Sequence, residues 1–258
     1  MSEGNISEWQ RELSGFDKIQ GEMVVGHLRE LGVHGKVLDI ACGDGWLTQL
    51  ITQLPEVAHL NAIDESTEVV KYAEKRQYTC PVKFDVSRFE DYSPDSRFDS
   101  ITALNILEHV EDQVLFLKRI KSLLKTDGKA FLYVPNANSF HVLLAVEMGV
   151  IPDKYFLNEW QQNFVGHTTH YDMDMLRAQV ENAGLDIEDI GSIIFKPFSN
   201  SQMDYLVNSE QWGIQTENDK EIRGWASSKN SFYEGLYRLG KKPEFQGFGS
   251  TLYVCCKI

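Results

Sequence analysis

The 258 residues include only four cysteines, and no two of them form a C-x-x-C pair. The adjacent Cys255 and Cys256 fall in a strand-like run, where neighbouring side chains point to opposite faces. A disulfide framework is therefore not expected, and a reducing, cytoplasmic setting is. Basic residues are also scarce: 25 Lys and Arg stand against 38 Asp and Glu, a net charge of −13. A protein that tracks a phosphate backbone carries a basic stripe. Here basic residues occur as scattered pairs such as Lys75–Arg76 and Lys241–Lys242, so nucleic acid is not an expected partner. No apolar run approaches the length of a membrane span. The opening MSEGNISEWQ has neither the basic nor the apolar segment of a signal peptide, and a membrane is not an expected partner either. Repeats, low-complexity tracts and Pro/Gly-rich linkers are missing, which favours one domain with excursions over several.

What is present is a regular alternation. After about 34 mostly helical residues, in which Met23, Leu28 and Leu31 are packing candidates, short apolar strands alternate with amphipathic helices. Strands are predicted over Lys36–Ala41, Val57–Ile63, Pro81–Asp85, Phe98–Leu104 and the run KAFLYVP. Helices are predicted over Asp44–Leu54, Ser66–Arg76 and about 110–125, the last stopping near Gly128. Strands that are apolar throughout, separated by helices, predict an α/β fold with a doubly wound parallel sheet covered on both faces. The pattern loosens over 137–170, which is rich in aromatic residues. It returns as a helix capped by Asp172 and ended by Gly184, then a sixth strand over about 186–195. A second irregular stretch, 196–247, precedes the closing strand STLYVCCKI.

The chemistry is concentrated at strand ends. VLDIACGDG places Asp39 inside the first strand and small residues just after it, where the backbone turns and a ligand can approach closely. The helix that follows directs free N–H groups toward that turn. Asp64 ends the second strand, where a carboxylate can accept both hydroxyls of a ribose. Asp85 ends the third, where it can accept from an exocyclic amine. In open α/β sheets ligands bind outside the carboxyl ends of the strands, so the three acids line one edge. A dinucleotide site is disfavoured. The loop Ala41-Cys42-Gly43-Asp44-Gly45-Trp46, with Thr48 after it, departs from G-x-G-x-x-G, and acids in strand and loop repel a pyrophosphate. They suit a ligand with an ammonium or a sulfonium. Simpler roles compete for some of these residues: Asp64 as a helix-start acid, Asp85 as a turn residue, Asn105 as a cap.

VLDIACGDG resembles motif I of the class I S-adenosylmethionine-dependent methyltransferases. LNAIDES, VKFDVSRFED, FDSITALNILEHVED and LLKTDGKAFLYVPN resemble the second- to fifth-strand motifs in order, and GHTTHYDMDMLRAQVENAGLDI the segment leading to the sixth. The one departure is Ala41, where the common pattern has glycine; a methyl group is tolerable there if φ is negative. The resemblance implies a Rossmann-like seven-stranded sheet with its last strand antiparallel and helical insertions after strands five and six. The chain is accordingly expected to divide into an N-terminal helical cap over 1–34 and a methyltransferase domain over 35–258, with the aromatic insertion at about 137–170 read as a lid and a second insertion at 196–247. The resemblance also implies binding roles for S-adenosyl-L-methionine. Asp39 and the Ala41, Cys42, Gly43 and Gly45 backbone would hold the methionine end. Asp64, with Glu65 beside it, would take the ribose hydroxyls; Asp85 and the Val86 amide would read adenine; the Leu104–Asn105 backbone would take the ammonium group.

His167 and His170 follow the first insertion and are the candidate general bases. His141 and Tyr171 rank behind them. In a branch of the family that methylates quinone precursors, acids and a histidine near EHVED (Glu108–Asp112) hold a divalent ion. Acids before Val114 and Leu117 are also ordinary helix-start chemistry, and no metal is expected. The expected activity is methyl transfer to a small-molecule acceptor, with a hydroxyl on a sugar, quinone-like or secondary-metabolite compound preferred. The alternatives are N-methylation, aminopropyl transfer on the same fold, or a silent binding protein. The oligomeric state is not legible in the sequence.

Overall fold

The computed structural model describes residues 15–198, 203 and 229–258. The first 14 residues of the expected cap, and 199–202 and 204–228 of the expected second insertion, lie outside the described residues. In chain order the elements are α1 (Gly15–Leu31), β1 (Gly35–Ile40), α2 (Trp46–Thr52), β2 (Val57–Asp64), α3 (Thr67–Ala73), β3 (Val82–Val86), β4 (Phe98–Leu104), a 3₁₀ turn (Leu107–His109), α4 (Gln113–Leu123), β5 (Leu124–Pro135), α5 (Phe140–Glu147), a π-helical turn (Gln161–Val165), α6 (Met173–Asn182), β6 (Asp186–Ile193), α7 (Lys229–Gly240), a second 3₁₀ turn (Pro243–Phe245) and β7 (Thr251–Lys257).

The seven strands form one sheet in the order β3-β2-β1-β4-β5-β7-β6. Neighbours from β3 to β5 are parallel, and β7 is antiparallel to both β5 and β6. The α/β, doubly wound, Rossmann-like sheet with an antiparallel last strand is therefore as expected. β6 runs in the same sense as β1–β5, so the carboxyl ends of six strands share one edge. The strand order reverses between β1 and β4, and that edge is where such sheets take their ligands.

Alternation of side chains, with helices over both faces, explains why the central strands carry apolar residues on each face. On one face Leu38, Ile40, Ile101, Leu132 and Val254 pack under Leu117 and Ile120 of α4 and Leu176 and Val180 of α6. On the other, Val37, Leu60, Phe131 and Tyr133 pack under Val24, Val25 and Leu28 of α1 and Ile51 of α2. Met23 and Leu31 are partly buried against the same layer. Cys256 belongs to the first layer and Cys255 to the second, as neighbours in a strand must. All four thiols are free.

One boundary differs from expectation for an instructive reason. α4 ends at Leu123, not near Gly128, because β5 already begins at Leu124, paired with Phe98. The register then shifts to Ser100↔Lys129. A Cβ on Gly128 would lie 2.8 Å from the Phe98 carbonyl oxygen. This glycine permits a close backbone approach within a bulged strand and does not terminate the helix.

The segment between β5 and α6 holds α5 and the π-helical turn. It is latched at Asp172, whose Oδ2 accepts from Lys154 Nζ (3.0 Å) and Tyr155 Oη (2.5 Å). Lys154 also donates to Asn138 Oδ1 at 2.9 Å. Phe140, Tyr155, Phe156, Trp160 and Phe164 all remain exposed on this segment. Among the described residues no helix is long and apolar enough to cross a membrane.

Candidate active site

The turn after β1 is built from left-handed backbone: φ is +57° at Ala41, +56° at Gly43 and +79° at Gly45. Two glycines meet this demand without cost. Ala41 does not, and the expectation of a negative φ there is corrected. The fold holds an alanine in a region that costs an L-residue about 1–2 kcal/mol. A Cβ on Gly43 would meet nothing within 4 Å, so there is open space over the loop. A Cβ on Gly45 would lie 2.5 Å from Tyr78 Oη and 2.8 Å from Ala73 Cβ, so α3 packs directly against the loop. The Arg76 side chain clamps it from the same direction, through Nε to the Asp44 carbonyl (2.6 Å) and through an ion pair to the Asp44 carboxylate.

Asp39 is 3% exposed. Its Oδ2 accepts from Thr48 Oγ1 at 2.6 Å and its Oδ1 from Thr102 Oγ1 at 2.7 Å. The carboxyl thus ties the loop's helix α2 to β4. Burial pushes its pKa up to about 6; the two hydroxyls pull it down, and Asp64 pushes it up again. The acid in the strand is a framework hub under the loop, a role that the sequence pattern did not disclose.

Asp64 stands at the open edge. Its Oδ2 accepts from the Gly43 amide and its Oδ1 from the Ser66 amide, both at 3.0 Å. Each oxygen retains a second lone pair for a hydroxyl donor. Glu65 beside it is exposed. Asp85 pairs with Lys83 at 3.0 Å, and with Val86 it lines a groove of about 370 Å³ that also includes Asn61 and Tyr92. Asn105, at the end of β4, is exposed with φ +54° and donates its amide to the Tyr133 carbonyl at 2.9 Å. Asparagine tolerates this conformation better than most residues. It does not cap the 3₁₀ turn that follows; that place belongs to Ile106, which makes no side-chain cap bond. Cys42 and Leu104 are buried behind the edge. The eleven cofactor candidates therefore come from four adjacent strand ends on one edge. Alternating donors and acceptors around an open loop fit a nucleoside with a cationic amino-acid tail.

The two histidines have different neighbours. The His167 ring meets the His109 ring edge-on, with centroids 4.9 Å apart. Glu108 completes a trio with them, and ligand-capable atoms of the three all lie within 4.8 Å of one another. Burial, helped by His109 and His170, lowers the pKa of His167 to about 4; burial also lowers His109. Both imidazoles are neutral at pH 7. Glu108 is 1% exposed, its Oε2 has no hydrogen-bond partner, and burial pushes its pKa up to about 8. A divalent ion would find neutral imidazoles here, but it would have to displace a proton from the carboxyl. His170 instead sits by the Lys154 backbone and near His141. The grouping of Glu108 and His109 with His167 was not anticipated, because the partners lie on either side of a long insertion.

A family profile described as a methyltransferase domain matches residues 18–190. A protein named ubiquinone biosynthesis O-methyltransferase, from Xanthomonas axonopodis pv. citri, is 30% identical over 200 residues, covering 74% of this chain and 78% of that one. Among solved structures, a Haloferax volcanii putative methyltransferase, in complex with the Trm112 methyltransferase activator, superposes with a TM-score of 0.63 at 17% identity, covering 97% of this chain and 96% of that one. A Mesorhizobium loti S-adenosylmethionine-dependent methyltransferase does so with 0.59 at 13% identity, covering 93% and 100%.

Proposed function

Because this chain belongs to the methyltransferase-domain family and is an S-adenosylmethionine-dependent methyltransferase, we propose that its acceptor atom is a hydroxyl oxygen on a small ring-bearing molecule of the quinone-precursor kind. The observation that carries this reading is the neutral His167–His109 pair, together with the activity in the relative's name. The cofactor supplies a methyl group already activated on a sulfonium. The Ala41–Gly45 loop, Asp64, Asp85 and the β4 end are the groups that would orient it. When the acceptor oxygen takes the methyl group its proton must leave, and the neutral His167 ring nitrogen is the group that would receive it.

The magnitudes fit this division of labour. Orientation of two reactants supplies about 7–11 kcal/mol of a barrier. A general base supplies about 10²–10⁴-fold, or roughly 3–5 kcal/mol. An imidazole held to a low pKa by burial is a weak base, so alignment and exclusion of water do most of the work. The exposed aromatic side chains between β5 and α6 offer the means of exclusion.

The test is a panel of phenols, enediols and amines incubated with labelled S-adenosylmethionine, with and without EDTA, and with His167→Ala in parallel. The expected result is label on a hydroxyl oxygen, an EDTA-insensitive rate, and a loss of about 10²-fold or more in kcat for the variant. Label on nitrogen alone overturns the acceptor assignment. Loss of activity in EDTA that a divalent ion restores assigns Glu108, His109 and His167 to a metal and removes His167 as base.

A further inference from the structure

We propose that β3, a free edge of the sheet, pairs antiparallel with β3 of a second copy of this chain, about a two-fold axis at Phe84. The proposal goes beyond methyl transfer and does not depend on the identity of the acceptor.

The sheet has two edges, β3 and β6, and they differ in kind. β6 (DIEDIGSI) carries Asp186, Glu188 and Asp189 and no basic residue, so two copies of it would set acids against acids. β3 (VKFDV) carries one charge of each sign, two places apart. Its backbone is ordered for pairing. The Leu60 amide donates to the Pro81 carbonyl and the Ser87 amide to the Asp64 carbonyl, both at 3.0 Å, and β2 pairs with β3 in unbroken register from Val82 to Val86. The odd-numbered residues of this stretch thus bond to β2. Backbone groups alternate along a strand. The N–H and C=O groups of Val82, Phe84 and Val86 therefore point away from the sheet, and no hydrogen bond among the described residues engages them.

These constraints select one self-pairing. With Phe84 opposite Phe84 of the other copy, the outward groups of Val82, Phe84 and Val86 meet their counterparts in about six main-chain hydrogen bonds. Val82 then faces Val86 and Lys83 faces Asp85, each twice by symmetry. The charged pairs fall between the hydrogen-bonded ones, where opposite side chains come closest. Lys83 already pairs with Asp85 of its own strand at 3.0 Å, and the arrangement keeps that bond: the charges of the two copies alternate in sign around one cluster. A lone lysine on an edge strand discourages pairing. A lysine with an aspartate two places on makes the edge complementary to itself. Lys83 and Asp85 line the groove of about 370 Å³ together with Asp91 and Asp95, so the incoming lysine meets an acidic wall. On the opposite face Phe84 lies beside the Tyr78 ring (centroids 5.5 Å), and Val86 is 48% exposed. The axis would join two aromatic pairs there and cover apolar surface. The Val86 amide, expected to read adenine, has one hydrogen to give. The pairing is therefore that of the cofactor-free protein, and the cofactor should loosen it.

Sedimentation equilibrium without cofactor tests the pairing. A five-residue edge is a small interface, so a transient dimer with a dissociation constant of about 1–100 µM is expected. Lys83→Asp sets only acids around the axis and Asp85→Lys only lysines, so each should weaken the dimer about 10-fold or more. A mixture of the two variants should associate one to one, because every acid then faces a lysine. The double variant Lys83→Asp, Asp85→Lys should dimerise again. A monomeric unaltered protein overturns the proposal, as does a dimer that either single variant leaves unchanged, or single variants that stay apart when mixed. Where a variant does not fold, hydrogen exchange on the unaltered protein still decides. The amides of Val82, Phe84 and Val86 should exchange more slowly as concentration rises through the dissociation constant, and exchange indifferent to concentration at all three overturns the pairing. Saturating S-adenosylhomocysteine should raise the dissociation constant; a dimer that it tightens overturns this register, in which the Val86 amide is occupied.

Discussion

Ala41 occupies a left-handed conformation that glycine adopts freely, in a loop whose other two turn positions are glycine. The penalty of about 1–2 kcal/mol for the Cβ is partly offset, because alanine has fewer unfolded conformations to lose, by about 0.4–1 kcal/mol. Ala41→Gly should therefore stabilise the protein by about 0.5–1 kcal/mol. For a chain of this size that raises the thermal midpoint by about 1–4 °C. A calorimetric scan checks it; an unchanged or lower midpoint would mean that the methyl group makes packing contacts worth more than the strain. Asp39 shows the complementary case, a residue legible as a buried acid but not as a tie between α2 and β4. The strand pattern marks it as a buried acid facing a cation. Its oxygens accept from Thr48 and Thr102, and no spacing rule links a position nine residues away with one sixty-three away.

Among the elements, those with a local cause were legible. β1, β2 and β4 are apolar on both faces, and Asp172 caps α6 by accepting from the Met175 amide at 3.0 Å, as the pattern predicts. What was not legible depends on contacts distant in sequence. β5 begins early because Phe98 pairs with Leu124, and the trio of Glu108, His109 and His167 closes across a long insertion. The segment between β5 and α6 was legible as aromatic and irregular, but not as latched. Its latch is Asp172, which uses one oxygen for the helix cap and the other for Lys154 and Tyr155. The two uses separate by mutation. Asp172→Asn keeps a capping oxygen and removes the charge, so the thermal midpoint should fall by only a few degrees while proteolysis within 150–165 accelerates several-fold. Asp172→Ala should show the same proteolysis and lose a further ~1 kcal/mol of stability from the cap. Resistance of both variants equal to that of the unaltered protein would show that the segment is held by its packing and not by this carboxylate.

At the scale of the whole molecule, buried titratable groups set how stability depends on pH. Burial lowers His27 to about 4, His141 to about 3 and His167 to about 4, and lowers His109 and His170 as well. Below pH ~6.5 the unfolded chain binds protons at these sites that the folded chain refuses, so acid favours unfolding. Two carboxyls act in the opposite sense. Asp39, raised to about 6, and Glu108, raised to about 8, hold protons in the fold that the unfolded chain releases near pH 4. Their contribution is fully present at low pH and is lost as pH rises through the folded values. Five histidines outweigh two acids, so stability should rise from pH 5 until the unfolded histidines have given up their protons, at about pH 7. Glu108 opposes that rise by one proton throughout, worth about 1.4 kcal/mol per pH unit. In Glu108→Gln the rise should therefore be steeper by about that amount, since the amide occupies the same space without a proton to lose. Thermal midpoints of both proteins recorded in EDTA across pH 5–7 check it. Parallel profiles for the two would show that the buried carboxyl beside His109 and His167 is ionised in the fold, and would leave the histidines alone to set the slope.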